Sequence, residues 1–472
     1  MRTSAASGSN APAGVDPGTA HGGSALSGHV VLLIVALSAG VVAQGGYYDA
    51  GRILVTVLVM VALAALLRLA PGIRADTWPV VAACAALAGW VLVRAVIADA
   101  YPIAFGAVAT LAGVAAVLLI LSQTSAVERL GCANAMIGLG VLVALTAWIG
   151  VAWRVPQFAI LVEGRLWRGA STLTYPNAAA ALLAPLALLA LALLVARPRS
   201  MPYAVAAYLL LVGTGATLSR AGLIALAAGL VVLAVTAGVR ATISRTGPLL
   251  VAAGIAVVLL VPSTPVAAPP QPALAVLGLL AGGLVVTGSV LLPGRIRAGA
   301  LVATLLSGAV LLLTQRDSEQ LGAMLASRGN LESPGRSGAL TAALELVAAN
   351  PLIGTGMGEA RFVWLTPNGN GAVAVYAHNE YLQLLVDLGA IGALLLLALF
   401  ATMALTIRRG SAYQHQPGIR AGVFAALTAF AVHSAFDFLW HIAVLPLVGA
   451  LLVGLAAPAT GGIMSSSNKK EQ

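Results

Sequence analysis

Charge is scarce in this sequence. Only 8% of its 472 residues are Asp, Glu, Lys or Arg, against about 25% in soluble domains, which excludes water as the main solvent of the folded chain. Cysteine is nearly absent as well. Cys84 and Cys132 fall in or beside separate apolar blocks, which rules out a disulfide framework or a thiolate metal site and leaves them as packing residues. There is no basic run. The formal charge of +10 comes from arginines scattered between apolar blocks, a pattern that does not make a nucleic-acid-binding stripe. Alternating polarity is missing too, as Val81–Val96 and Ala178–Ala196 show, so a transmembrane β-barrel is excluded.

Apolar residues, 60% of the chain, fill the space that charge leaves. They come in blocks of roughly 16–22 residues, the length at which a helix crosses about 30 Å of hydrocarbon. Candidate spans run over 29–44, 53–70, 79–97, 103–121, 134–152, 178–196, 203–217, 221–238, 247–262, 273–292, 299–314, 381–405, 420–435 and 441–457. The block at 247–262 is short and ends in a proline-rich stretch, so 247–292 reads as a hairpin, a re-entrant pair or a peripheral element. The expected fold is all-α: a polytopic transmembrane bundle of about 12–14 spans with one long outer loop that contains an amphipathic helix. Residues 1–27, rich in Gly, Ala and Ser, read as a disordered cytoplasmic tail and not a cleaved signal. Then follow helices over 28–314, an extracytoplasmic loop over 315–379, three last spans over 380–457 and a cytoplasmic tail over 458–472.

Cytoplasmic loops retain Lys and Arg. With the amino terminus inside, interior connections carry Arg68, Arg74, Arg129, Arg197, Arg199, Arg240, Arg245, Arg295, Arg297, Arg408, Arg409 and Arg420, and the tail carries Lys469 and Lys470. Outer connections are almost uncharged apart from Arg52 beside Asp49, the 153–177 segment, Arg220 and the 315–379 loop.

A connection of that length is functional or disordered, and this one has helix signals. Ser333-Pro334 gives an N-cap and a first-turn proline, Leu340, Ala343, Leu344 and Val347 recur at helical spacing, and Asn350-Pro351 stops the helix. Arg336 falls in its first turn, where the helix dipole disfavours a cation unless an anion binds. Ser219-Arg220 likewise opens the 221–238 span, and Arg165 and Arg168 precede Asn177, a candidate cap of the 178–196 span. Helix amino ends beside arginines on the outer face suit a phosphate or pyrophosphate; paired or solvated arginines are the plainer alternative, least comfortable for Arg220 between apolar spans.

The loop closes on His378-Asn379-Glu380-Tyr381. A histidine at a membrane surface can act as a general base, or simply be a satisfied interfacial side chain. Asp387, nine residues on, falls on roughly the opposite helix face and reads as a packing acid. Gly354, Gly356 and Gly358 lack the strand and Lys-Ser/Thr of a nucleotide loop and read as a tight turn. Asp317 and Glu319 alone make a weak metal site.

The run Asn350-Pro351-Leu352-Ile353-Gly354-Thr355-Gly356-Met357-Gly358, followed by Ala377-His378-Asn379-Glu380-Tyr381-Leu382-Gln383-Leu384-Leu385, resembles the O-antigen ligase and polymerase superfamily. Thr174-Tyr175-Pro176-Asn177-Ala178-Ala179, Leu218-Ser219-Arg220-Ala221-Gly222 and His433-Ser434-Ala435-Phe436-Asp437-Phe438 fall in the same order, so the resemblance covers roughly 150–457. It implies a GT-C-like helical bundle in the plasma membrane that takes a glycan from an undecaprenyl-diphosphate carrier and transfers it, outside the cytoplasm, to a sugar or other envelope acceptor. It also implies that Arg220 and Arg336 hold the diphosphate and that His378 activates the acceptor hydroxyl, with no metal and no cofactor. Arg165 and Arg168 are further candidates at the diphosphate, with Asn177, Ser219, Asn379 and Glu380 in support. Two other classes compete: a flippase for lipid-linked glycan, which calls for mid-span charges and an internal repeat, and a non-catalytic envelope scaffold, which predicts replaceable outer His and Arg residues.

Overall fold

The computed structural model describes residues 26–69, 74–162, 164–173, 175–292, 334–366, 369–410 and 417–458, with only the backbone given for 334–336 and 417. Its helices are α1 Gly28–Val42, α2 Asp49–Leu69, α3 Trp78–Ala98, α4 Tyr101–Ser122, α5 Ala126–Ala152, α6 Pro176–Ala196, α7 Met201–Ala216, α8 Arg220–Ala237, α9 Val239–Leu260, α10 Pro272–Leu291, α11 Pro334–Ala349, α12 Glu380–Gly410, α13 Pro417–Ser434 and α14 Val444–Leu455. Among the described residues nine helices are long and apolar enough to cross a membrane, and α1, α7, α13 and α14 are shorter apolar helices. The expected span at 299–314, the terminal tails, the Ser333 cap and the Asp317–Glu319 pair lie outside the described residues.

One helix organises the bundle. From Pro176 to Leu194 every residue of α6 is buried, because α5, α7, α8, α9 and α13 surround it. A sequence of Ala and Leu with almost nothing larger lets neighbours approach closely on every side. Gly229 of α8 sits against Leu188, and Gly422 of α13 against Ala192 and Leu189. The 247–292 region resolves into a packed pair, α9 and α10.

Several boundaries differ from the sequence expectation, each for a local reason. The Ser125–Glu128 capping box, with Glu128 N–H donating to Ser125 Oγ at 3.3 Å and Ser125 N–H donating to Glu128 Oε2 at 2.9 Å, starts α5 at Ala126 and not at 134. Arg129 therefore lies inside the helix. Instead of being solvated in a loop it is buried, donating to the Leu121 and Pro458 carbonyls at 2.9 and 2.6 Å and to that of Ala457. Gly238, at φ 95°, turns the chain so tightly that α9 begins at Val239 and carries Arg240 and Arg245 itself. In α11 the buried side is Ala339, Ala342 and Ala343, whereas Leu340 and Leu344 are exposed. Gly338, packed against the Trp364 ring, sets this rotation by giving the helix a flat small-residue contact with the hairpin beside it.

Two hairpins interrupt the all-α expectation, one after α5 and one after α11. Strand β1 Ala159–Val162 pairs with β2 Leu166–Gly169, and β3 Phe362–Leu365 with β4 Gly371–Ala374, each antiparallel.

The 381–405 span is not one continuous helix. At Gly389 (φ 65°, ψ −166°) α12 breaks, and Ala390–Gly410 is left to cross the bilayer, a length of about 31 Å at 1.5 Å per residue. In hydrocarbon each unpaired backbone group costs several kcal/mol, so such a break needs partners. The Asn350–Gly358 turn supplies them. Thr355 and Gly356 N–H donate to the Val386 and Asp387 carbonyls at 2.7 and 3.1 Å, and Ala390 and Ile391 N–H donate to those of Pro351 and Leu352 at 2.9 and 3.2 Å. From α3, Trp90 Nε1–H donates to Leu388 O at 3.0 Å and buried Arg94 to Gly354 O at 3.0 Å. The turn and the break thus complete each other.

A side chain at Gly389 would put its Cβ 2.3 Å from Leu352 O, and at Gly354 2.5 Å from Val386 O, both at positive φ. Gly389→Ala and Gly354→Ala are each expected to lower stability by about 1–3 kcal/mol or more, read as a fall in the thermal midpoint of the detergent-solubilised protein. Gly283→Ala in α10, where a Cβ meets nothing within 4 Å, is expected to leave the midpoint unchanged or raise it slightly.

Candidate active site

The loop that begins at the helix break ends at His378, and two local bonds fix its path. Gln383 Oε1 accepts the Ala377 N–H at 2.9 Å. Asn379 Oδ1 accepts the Leu382 N–H at 3.1 Å, which caps α12. Between them His378 is held at φ 52°, in the left-handed region that residues other than Gly rarely adopt and that clusters at functional sites.

Opposite lies the bend after α13. Asp437 is fully buried there, and its carboxylate gathers four donors from three segments. His378 Nδ1 stands 3.2 Å from Oδ1, the Tyr175 hydroxyl donates to both oxygens at 2.9 and 2.7 Å, Phe438 N–H donates at 3.0 Å, and Asn177 Nδ2 donates to Oδ2. A buried carboxylate is tolerated only with such a donor set. Asn177 is not the cap of α6: Pro176 sits at the first helical position, whose φ it pre-sets. The helix therefore starts two residues early, and the Asn177 amide is left for Asp437 and Arg168.

Arg168, on β2, connects this centre to a second helix end. Its Nη2 donates to Asn177 Oδ1 at 2.8 Å and its Nε to the Thr217 carbonyl at 2.8 Å. Thr217 belongs to the turn in which Leu218 takes φ 49° and Ser219 caps α8, its Oγ accepting the Gly222 N–H at 3.1 Å. Arg220, half-buried, is the first residue of that helix. The structure thus joins His378, Asn177, Arg168 and the Ser219–Arg220 turn through Asp437. Arg165 is apart, exposed at the tip of the β1–β2 hairpin. Arg336 starts α11, which packs on α12; its side chain lies outside the description. Asp387 is buried and takes both Gln383 Nε2 contacts at 3.1 Å, as a packing acid would. Among the described residues no group of three His, Cys, Asp or Glu is placed to hold a metal ion.

A second rung ties the same two segments together. Glu380, also buried, receives Nδ1 of His441 at 3.3 Å and the Trp440 N–H on one oxygen. Burial alone lowers the pKa of His441, yet the Glu380 carboxylate outweighs it and the net direction is upward. Between the rungs Phe438 stacks on Tyr376 at 4.4 Å and on Tyr175 at 5.1 Å. Burial and the Tyr47 hydroxyl 3.4 Å away raise the pKa of Tyr376, so it remains a neutral phenol.

Sequence reasoning assigned no role to Asp437, Tyr175, Tyr376 or His441. A signal existed for the first: Asp437 breaks an otherwise apolar stretch between two spans, where a carboxylate is costly unless it is used.

None of the curated proteins compared with the chain matches it. A family model described as O-antigen ligase matches residues 238–397, a stretch that takes in α9, α10, α11, the helix-break turn, His378 and the membrane-crossing start of α12. Over that stretch the chain is similar to O-antigen ligases, within a mostly helical membrane fold.

Proposed function

We propose that the protein transfers a glycan from an undecaprenyl-diphosphate carrier to a hydroxyl of a sugar or other envelope acceptor, on the outer face of the plasma membrane. The observation that carries this reading is the His378–Asp437 contact at 3.2 Å. A buried carboxylate that accepts from Nδ1 leaves Nε2 to take a proton. His378 Nε2 removes the acceptor hydroxyl's proton as that oxygen bonds to the anomeric carbon, and the bond from that carbon to the diphosphate breaks. The diphosphate departs with its electron pair. Arg168, Arg220, Arg336 and Arg165 are proposed to meet its charge, with the capped amino end of α8 adding N–H groups. Arg168 is already oriented by two hydrogen bonds, and such pre-orientation is what makes electrostatic stabilisation effective.

The outer location is supported by the arrangement of charge. Asn177 opens α6, while Arg197 and Arg199 follow its other end, about 31 Å away along the axis. Arg408 and Arg409 likewise end α12 far from His378. By the positive-inside rule the arginine-rich end is cytoplasmic.

The test uses purified protein supplied with an undecaprenyl-diphosphate oligosaccharide from its host. His378→Ala is expected to reduce release of the carrier diphosphate by about a thousandfold or more, and Asp437→Asn by about a hundred- to ten-thousandfold, the range typical of an acid that orients a catalytic histidine. His378→Ala should keep a wild-type thermal midpoint, and Asp437→Asn, which leaves some of the donors around it unsatisfied, should lower the midpoint while remaining folded. Lengthened glycan identifies a polymerase, and a block moved to another acceptor a ligase. A wild-type protein that moves intact lipid between leaflets without releasing diphosphate, or full turnover in His378→Ala, sinks the transferase reading.

The Glu380–His441 pair has its own pH signature. Because the folded pKa of His441 is raised, its contribution to stability is complete below the ordinary histidine value of about 6.5 and is lost as pH rises through the higher folded value. The thermal midpoint is expected to fall across that window in wild type. In Glu380→Gln that fall should disappear.

A further inference from the structure

We propose a second anion site at the opposite end of the molecule from His378: an open cavity of about 420 Å³ lined by Arg197, Pro198, Arg199, Ser200 and Arg245 that holds a phosphate group. It is independent of the transferase reading. Three guanidinium groups from two segments converge there, two from the α6–α7 connection and one from α9. Among the described residues no carboxylate lines the cavity, and the sequence has no Asp or Glu at all between Glu163 and Asp317. Ser200 is the N-cap of α7 and its side chain makes no capping bond, so the positive end of a 16-residue helix faces the same space. Guanidinium groups beside a helix amino end form the donor set that binds phosphate oxygens.

The cavity is also braced. Arg197 Nη1 donates to the Tyr203 hydroxyl at 2.9 Å, with its guanidinium carbon 5.7 Å from the ring centroid, and Tyr203 donates in turn to Asn134 Oδ1 on α5 at 2.9 Å. A purely solvated topology arginine needs no such support. The phosphate source that best fits the surroundings is a lipid headgroup. Val205 on α7 and Ile243 on α9, exposed apolar residues close in sequence to the lining residues Ser200 and Arg245, are proposed to offer acyl chains a path alongside the phosphate. Basic pockets between helices at the cytoplasmic surface bind headgroups in this manner.

Titration of the full-length protein in detergent with dihexanoyl phosphatidylglycerol, dihexanoyl phosphatidylcholine and inorganic phosphate separates the sources. The expected result is saturable binding of phosphatidylglycerol and not of phosphatidylcholine, weakened more than about tenfold in Arg197→Ala/Arg199→Ala/Arg245→Ala through loss of charge-assisted hydrogen bonds. Arg408→Ala/Arg409→Ala, basic residues outside the cavity, should bind as wild type does. The charge-preserving Arg199→Lys/Arg245→Lys variant should bind between the two, which guards against a folding defect in the triple variant. Competition by inorganic phosphate at similar concentration also supports the phosphate site and assigns it to a soluble source. Equal binding of phosphatidylglycerol by wild type and the triple variant, or no anion binding at all, overturns the proposal.

Discussion

A backbone polar group cannot be left unpaired in hydrocarbon, and the break in α12 at Gly389 turns that constraint into architecture. The break leaves carbonyls and amides without helical partners, and only a chain segment of complementary shape can satisfy them. The Asn350–Gly358 turn does so with two donors and two acceptors, at glycines whose left-handed backbone permits close approach. Once the turn is docked, the loop that follows has its starting point fixed, and the nine residues before the break are held as a separate short helix. His378 stands at the junction of the two. The position of the proposed base therefore depends on pairing that happens a full helix segment away.

Asp437 performs the corresponding task for the other wall of the site. One carboxylate collects His378, Tyr175, Asn177 and the Phe438 amide, and through Asn177 it reaches Arg168 and the turn carrying Arg220. Tyr175 and Asn177 come from the start of α6 and the others from separate connections, and α6, buried along nearly its whole length, is the rigid post on which they meet. Such a network is worth having only when every member is satisfied. The pairing of Glu380 with His441 and Trp440 repeats the link on the far side of Phe438, so the two segments are joined by two rungs and a ring stack.

Much of the fold was legible because hydropathy and arginine placement are local, repeated signals. Ten of the thirteen described spans begin and end within about four residues of the sequence reading, and the three exceptions contain or adjoin local features that the reading passed over: the Ser125–Glu128 box, Gly238 and Gly389. The break at Gly389 could not be read, since a glycine in an apolar run is ordinary in membrane helices and its meaning lies in a turn thirty-odd residues upstream. The site was half legible. His378, Arg168, Asn177 and Ser219 showed themselves as polar residues at outer helix ends, but the carboxylate that unites them lies 59 residues beyond His378, and no spacing rule connects the two. The small faces of α11 were misjudged for a related reason: Leu340 and Leu344 outrank alanine on any hydropathy scale, while the contact with Trp364 favours the flatter side.

The family match ends at residue 397, yet Asp437 lies beyond it and Tyr175, Asn177, Arg168 and Arg220 lie before it. The matched stretch holds the histidine and the turn that positions it; the groups that face the histidine are carried by the rest of the bundle. The matched stretch is consequently one half of the proposed centre. Exchange of that segment with a similar chain would move the proposed base while leaving behind Asp437 and most of the arginines proposed for the diphosphate, so compatibility across the Asp437 hub, and not the match itself, would decide whether a chimera works.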